Sequence, residues 1–251
     1  MRTEEQFKKI LAEAKNDPKV LAFWLDGSRG KGIFVTEHSD YDCTMIVKDE
    51  ALDVYKEKYG KNADPDLELG VKTLPAFKKH AEWQSEFAWD RYNFAHLRPL
   101  IDKTGEIQKL FDEKAAIPKD KTREFVSGAL GAYLNQVYRS LKCFRDGDMP
   151  AARLEVAESV PPLLSALFGI EGRMKPYYKY LIWELKNYPL TALPWTADDF
   201  LKKVLHILAT ADRTTQQEIL NGIEPIFRSA GYGEVFDAWK EKFDWMKNYA
   251  P

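Results

Sequence analysis

The sequence predicts an α+β protein in which an N-terminal domain, with a mixed β-sheet and flanking helices, is followed by an all-helical bundle. Apolar runs of strand length occur in the first part of the chain, as in Val20–Leu25 and Tyr41–Val47. From about Lys119 onward, apolar residues recur three and four positions apart, which is the spacing of helices. We therefore predict two domains, residues 1–118 and residues 119–251.

The N-terminal domain is predicted to begin with a helix over Glu4–Asn16, which Asp17 and Pro18 end. Two buried strands, Val20–Leu25 and Tyr41–Val47, follow. The later elements predicted for this domain are a turn at residues 61–65, a third strand over Asp66–Val71, a fourth over Tyr92–Ile101 and a helix over Glu106–Lys114.

The C-terminal domain is predicted to be helical throughout. A long helix ends near Gly147, and a second runs from Pro150 to Phe168, where Pro161 and Pro162 should kink or split it. The remaining helices are predicted to open at Pro176, after an N-cap at Thr196, after a capping box formed by Thr215 and Glu218, and over Glu234–Asn248.

Composition limits the classes of function. With a formal charge of −2 the chain offers no broad cationic field, so nucleic acid is an improbable partner. The polar, charged start and the lack of a long apolar run indicate a cytoplasmic protein without membrane association. Cys43 and Cys143 lie far apart, and the four histidines are scattered singly, so neither a disulfide framework nor a zinc site is expected. No sequence signal indicates the oligomeric state.

Chemistry is concentrated in LDGSRGKGIFVTEHSDYDCTMIV, residues 25–47. Because strand side chains alternate, Asp40 and Asp42 point the same way, with Cα atoms roughly 7 Å apart. Paired carboxylates of this kind suit Mg²⁺ or Mn²⁺ together with substrate phosphates. Gly27 and Ser28 form a turn whose backbone could approach phosphate closely. Arg29 and Lys31 would add positive charge beside a triphosphate.

This pattern resembles the nucleotidyltransferases of the DNA polymerase beta superfamily. An apolar strand is followed by Gly-Ser, eleven intervening residues and Asp-x-Asp leading into a second apolar strand. Within the superfamily the chain looks most like the aminoglycoside 6-adenylyltransferase and lincosamide groups. The resemblance extends through the segments DLELGVKTL, residues 66–74, and LIDKTG, residues 100–105.

The resemblance implies that Asp40 and Asp42 hold metal ions and that Gly27 and Ser28 bind nucleotide phosphates. It implies a third acid that binds metal or acts as base. We assign that role to Glu68, and Asp66 on the same strand face competes for it. Glu86 and Asp90 could take this role if the strand register differs.

The resemblance further implies a magnesium-dependent transfer of a nucleoside monophosphate, AMP from ATP, onto a hydroxyl of a small molecule such as an aminoglycoside or lincosamide. By analogy with those groups, it also implies a role in antibiotic resistance. The helical domain would then bind the acceptor. Alternatives are a protein or RNA acceptor, or an antitoxin-like nucleotide-binding module without turnover.

Several other residues are weaker candidates. Aromatic segments at residues 83–94 and 177–183 could line an acceptor pocket, although core packing is their more common role. The charged candidates of the helical half are three cations that could reach a triphosphate and two acids that could attract a cationic acceptor: Arg139, Lys142, Lys179, Glu155 and Glu158.

Overall fold

The computed structural model describes residues 2–60 and 64–250. The chain divides into two compact units, Met1–Ala116 and Ile117–Pro251. A four-stranded mixed sheet lies in the first unit, and the second is largely helical, so the predicted α+β fold class is confirmed. Of the turn predicted at residues 61–65, residues 61–63 lie outside the described part of the chain.

The sheet of the first unit has the strand order β3-β2-β1-β4. Strands β1 and β2 pair antiparallel, β2 and β3 pair parallel, and β1 pairs antiparallel with β4. The bounds of the elements are α1 Arg2–Asn16, β1 Val20–Leu25, α2 Gly27–Lys31, β2 Tyr41–Val47, α3 Leu52–Tyr59, β3 Leu67–Thr73, α4 Leu74–Lys79, β4 Ile101–Asp102 and α5 Ile107–Ala115. The first three predicted strands are confirmed, although β3 begins one residue later and ends two residues later than expected.

Each face of the sheet carries its own apolar core, because side chains alternate along the strands. On one face, α1 packs Phe7 and Ile10 against Phe23 and Met45. On the opposite face, aromatic rings surround Trp24, whose indole lies 4.9 Å from the Phe77 ring and 5.0 Å from the Phe111 ring, centroid to centroid. Alternation along β2 places Asp42 and Thr44 on this second face, in line with Ile46.

The predicted fourth strand over Tyr92–Ile101 is wrong. Residues Ala88–Phe94 form a 3₁₀ helix, and β4 contains only two residues. The Lys31 ammonium donates to the carbonyl oxygens of Asn93 at 2.6 Å and Ala95 at 2.5 Å, which commits that backbone to a folded loop. His96 has a left-handed φ of 66°, and Pro99 has no N–H for a sheet ladder, so an extended strand cannot run through this segment.

The second unit consists of helices around one apolar core. Their bounds are α6 Thr122–Arg145, α7 Met149–Gly169, α8 Tyr178–Asn187, α9 Ala197–Thr210, α10 Arg213–Ser229, α11 Gly233–Asp237 and α12 Glu241–Asn248. The predicted N-cap at Thr196 is confirmed, since its side chain accepts the N–H of Asp199 at 3.2 Å.

Three details of this unit differ from the sequence predictions. Helix α7 stays one helix through Pro161 and Pro162, so it does not split. Asp212, rather than Thr215, caps α10 by accepting the N–H of Thr215 at 2.7 Å. The single last helix predicted over Glu234–Asn248 is two helices, because Lys240 has a φ of 50° between them.

Among the helices of the described residues, none combines the length and the apolar character needed to cross a bilayer.

Candidate active site

The parallel pairing of β2 with β3 brings two of the predicted acids side by side. Asp42 on β2 lies opposite Glu68 on β3 in the register, so both side chains point to the same face of the sheet. Asp42 is half-buried, whereas Glu68 is exposed to solvent. Asp40 lies just before β2 and is exposed. A half-buried carboxylate is thus flanked by two exposed ones.

The Gly27 turn lies directly against Asp42. Gly27 follows β1 with a φ of 59°, a left-handed conformation that glycine adopts without strain. A Cβ atom at this position would lie 3.5 Å from Oδ2 of Asp42, so the glycine backbone faces that carboxylate. The backbone N–H of Asp26 donates to the carbonyl oxygen of Asp42 at 2.8 Å. Asp26 and Gly27, which are 16 and 15 positions from Asp42 in the sequence, therefore lie next to it, and Ser28 follows Gly27 in the chain.

The surroundings of Asp42 disfavour its charged form. Burial and, after it, the negative charges of Asp40, Glu68 and Asp26 together raise its pKa from 3.8 to about 6. Within the described residues, no Lys, Arg or His side chain forms an ion pair with Asp40, Asp42 or Glu68. The region around Asp42 is consequently rich in negative charge, and among residues 2–60 and 64–250 no cationic side chain is paired with these three acids.

Glu68 and Asp66, the two competitors for the third acidic role, occupy different surroundings. The Glu68 charge acts on Asp42, whereas Asp66 is absent from the charges that shift the pKa of Asp42. Asp66 precedes β3 and accepts the N–H of Tyr41 through its carbonyl oxygen at 2.8 Å. It lines a polar cavity of about 580 Å³ together with Arg29, Ser39 and other residues of the 36–41 turn and of α1. The assignment of the third acidic role to Glu68 stays a prediction.

The two cations predicted to bind a triphosphate, Arg29 and Lys31, donate hydrogen bonds to backbone carbonyl oxygens, and their contact with nucleotide stays a prediction. Arg29 donates from Nε and Nη2 to the carbonyl oxygen of Ser39 at 2.9 and 2.7 Å, and its guanidinium lies 3.9 Å from the Tyr41 ring centroid. Lys31 is buried, with 9% of its surface exposed, and its ammonium binds the carbonyl oxygens described above. Arg29 therefore fixes the turn that carries Asp40, and Lys31 fixes the loop after the 3₁₀ helix.

Asp26 lies beside the candidate site and was not among the residues predicted from the sequence motif. Its carboxylate accepts hydrogen bonds from Trp24 Nε1 at 2.9 Å, Thr44 Oγ1 at 2.7 Å and Asn93 Nδ2 at 3.2 Å. Burial raises the pKa of Asp26, and the hydrogen bonds from Thr44 and Trp24 partly oppose that rise. In the sequence, Asp26 is visible only as an acid between an apolar strand and Gly27. Its importance depends on hydrogen-bond donors from three separate segments, which the sequence does not bring together.

The weaker candidates lie in ordinary structural surroundings. Glu86 is exposed, and Asp90 forms an ion pair with His80 at 2.8 Å between Oδ2 and Nε2. In the aromatic segment, Tyr92 and Phe94 are buried in the core, whereas Phe87 and Trp89 are exposed. In the helical unit, Glu155 is paired with Arg139 at 2.5 Å, so neither charge is unpaired.

The carboxylates fit a hard divalent cation by their chemistry. Oxygen donors in a region of uncompensated negative charge are what Mg²⁺ or Mn²⁺ binds, with phosphates and water completing the shell. No group of three or more His, Cys, Asp or Glu side chains in the described part of the chain is arranged to hold a metal by itself. Phosphate oxygens or water would complete the shell of any such cation.

Eight chains among the solved structures are similar to this one. A solved structure of a nucleotidyltransferase-like protein from Exiguobacterium sibiricum 255-15 matches 95% of this chain and 80% of its own length, with 15% identity and a TM-score of 0.46. No family model matches the sequence, and no curated protein does.

Proposed function

We propose that this protein is a metal-dependent nucleotidyltransferase that moves a nucleoside monophosphate, AMP from ATP, onto a hydroxyl of a small molecule. The observation that carries the proposal is the meeting of three sequence-distant features: the Gly27 turn, Asp42 on β2 and Glu68 opposite it on β3. A phosphate-approachable backbone next to a cation-binding acid pair is the combination that nucleotide transfer requires.

Each residue has a stated role in this proposal. Asp40 and Asp42 would hold Mg²⁺ or Mn²⁺, which would neutralise phosphate charge and orient the leaving pyrophosphate. Backbone N–H groups at Gly27 and Ser28, with the Ser28 hydroxyl, would donate to the phosphates. Arg29 and Lys31 support this surface by fixing backbone, as described above, and any direct contact of theirs with nucleotide stays a prediction.

The proposed reaction is a displacement at the α-phosphorus of the nucleoside triphosphate. The acceptor hydroxyl oxygen attacks the α-phosphorus and forms a new P–O bond, while the bond to the β-phosphate oxygen breaks and pyrophosphate leaves. The hydroxyl proton passes to the Glu68 carboxylate, which is exposed and on the same sheet face as Asp42. Positioning and charge neutralisation would supply most of the rate acceleration.

The acceptor class is proposed on weaker grounds. A hydroxylated small molecule, with aminoglycosides and lincosamides as candidates, follows from the sequence resemblance alone. The helical unit, residues 119–251 in the prediction, would then form the acceptor site. A protein or RNA acceptor, or a regulatory module that binds nucleotide without turnover, are the rival outcomes of the test.

The test is pyrophosphate release from each of the four nucleoside triphosphates with Mg²⁺, over a panel of aminoglycosides, lincosamides and other hydroxylated compounds. Asp42→Asn is the inactive control, and Asp53→Asn, an exposed acid on α3, is the matched neutral control. Acceptor-dependent release that requires Asp42 and is abolished by EDTA supports the proposal. Nucleotide binding without release, over the whole panel, would favour the regulatory module.

A further inference from the structure

One buried carboxylate, that of Asp26, connects the elements around the proposed site. Its three hydrogen-bond donors are the indole of Trp24 on β1, the hydroxyl of Thr44 on β2 and the amide of Asn93 in the 3₁₀ helix. All three donors are uncharged, and within the described residues no cation forms an ion pair with Asp26. Its side chain therefore joins three segments through geometry rather than through charge pairing.

The main chain of Asp26 is tied to the same place. Its N–H donates to the carbonyl oxygen of Asp42 at 2.8 Å, and its carbonyl oxygen accepts the N–H of Gly30 at 2.9 Å. The first bond holds the end of β1 against β2, and the second closes the first turn of α2. Gly27, whose backbone faces the Asp42 carboxylate, is the next residue in the chain. A change in the backbone torsion angles of Asp26 would therefore move Gly27 relative to Asp42.

Each of the three side-chain bonds restrains that rotation. The Oδ1 atom accepts from two donors that approach from different segments, and Oδ2 accepts from the third, so the carboxylate plane is defined on both sides. A group held by several buried hydrogen bonds has few alternative orientations, because each lost bond leaves a buried donor unpaired. The position of the Gly27 turn is thus fixed by Trp24, Thr44 and Asn93, which lie outside the turn.

We propose that Asp26 is a positioning residue that fixes the Gly27–Ser28 turn against Asp42 and thereby sets the affinity of the site for a nucleoside triphosphate with its metal. This inference rests on the proposed function. Residues that orient a metal or phosphate site without touching the ligand typically change its affinity by about 10- to 100-fold when removed.

The test compares three substitutions that remove different parts of the Asp26 network. Asp26→Ala removes both oxygens. Asp26→Asn keeps one oxygen for Trp24 and Asn93, and its amide can donate to the Thr44 hydroxyl. Thr44→Val removes only one donor and remains useful if the alanine variant fails to fold. Affinity for each nucleoside triphosphate with Mg²⁺ is measured by calorimetry without acceptor.

Two controls separate positioning from a general loss of stability. Ile10→Ala truncates a buried side chain in the core on the other face of the sheet, so it lowers stability without touching the Asp26 network. Asp53→Ala removes an exposed acid on α3. Both should bind nucleotide as the wild type does at a temperature where all variants are folded.

The expected result is a loss of affinity of about tenfold or more for Asp26→Ala, a smaller loss for Thr44→Val, and less than about threefold for Asp26→Asn. Unchanged affinity in Asp26→Ala would overturn the inference. An equal loss in Asp26→Asn would also overturn it, since charge rather than geometry would then be responsible.

A second readout does not depend on nucleotide. Hydrogen exchange of the Gly30 amide, which donates to the carbonyl oxygen of residue 26, should be faster in Asp26→Ala and nearly unchanged in Asp26→Asn. If the wild type binds none of the four nucleotides, the proposed function fails, and so does the affinity part of this inference. Unchanged Gly30 exchange in Asp26→Ala would overturn the structural part by itself.

Discussion

Asp42 should limit the stability of the ligand-free protein. Its pKa is raised from 3.8 to about 6, by burial first and then by the charges of Asp40, Glu68 and Asp26. A shift of that size corresponds to at most about 3 kcal/mol of destabilisation at neutral pH, and solvent screening of a half-buried group reduces it to about 1–2 kcal/mol. Replacing Asp42 by Asn removes the charge with little change in shape, so the variant should be more stable.

The pH dependence has a definite sign. Between pH 3.8 and about 6 the folded protein keeps the Asp42 proton that the unfolded chain has lost. The folded state then binds more protons, so the stability of the wild type falls as pH rises through that window. The advantage of Asp42→Asn should therefore be nearly absent near pH 4, grow between about pH 4 and 6 and stay constant above that range.

The assay is urea or thermal unfolding of both proteins in EDTA, at several pH values where each is folded. At neutral pH the midpoint of Asp42→Asn should be higher by about 3 °C or more, and Asp53→Asn should match the wild type. Adding Mg²⁺ with a nucleoside triphosphate should stabilise the wild type and reverse the order, because only the wild type would bind it tightly. An Asp42→Asn variant no more stable than wild type at neutral pH would refute the electrostatic reasoning.

Three further predictions follow from particular contacts. Gly30→Ala would place its Cβ 2.0 Å from the carbonyl oxygen of Leu25 at the end of β1, so it should destabilise the protein by about 2 kcal/mol or more. Gly128→Ala, in open space on α6, should stabilise it by about 0.5–1 kcal/mol. Equal unfolding midpoints of the two variants would contradict this reasoning. Glu68→Gln should lower kcat for pyrophosphate release by about 100-fold, and Asp66→Asn should leave kcat within about threefold, so the reverse order would reassign the third acid. Burial, followed by the charge of a nearby arginine, lowers the pKa of Lys114 from 10.5 to about 8, so the folded state loses a proton that the unfolded chain keeps. Wild-type stability relative to Lys114→Met should therefore rise from about pH 8 to 10 in urea titrations, and a flat difference would show that this lysine is not perturbed.

Much of the fold could be predicted because its signals are local. The runs Val20–Leu25 and Tyr41–Val47 are apolar, bounded by turn residues and of strand length, and both form strands with the predicted bounds. Thr196 caps α9 through a bond to a residue three positions away, which the sequence displays directly. By contrast, the apolar pattern after Tyr92 is typical of a strand, and the prediction was wrong because the contact that folds this segment comes from elsewhere in the chain. The buried Lys31 ammonium donates to the carbonyl oxygens of Asn93 and Ala95.

The candidate site divides in the same way. The presence of Gly27, Asp40, Asp42 and a nearby acidic strand is visible in the sequence, and the alternation of strand side chains places the acids on one face. The pairing of Asp42 with Glu68 could not be predicted, because β2 and β3 pair in parallel and the register of a parallel pair is not fixed by a hairpin turn.

The sequence by itself determined strands β1 and β2 and the acids that stand at the start of β2, since these depend on residues within a few positions of one another. The tertiary structure alone decided what the polar side chains do. It places Arg29 and Lys31 in hydrogen bonds to backbone carbonyl oxygens, while their contact with phosphate stays a prediction, and it makes Asp26 the junction of three segments. Long side chains reach whatever partner the packing brings near, and that partner can lie more than 60 positions away in the chain, as Asn93 does from Lys31.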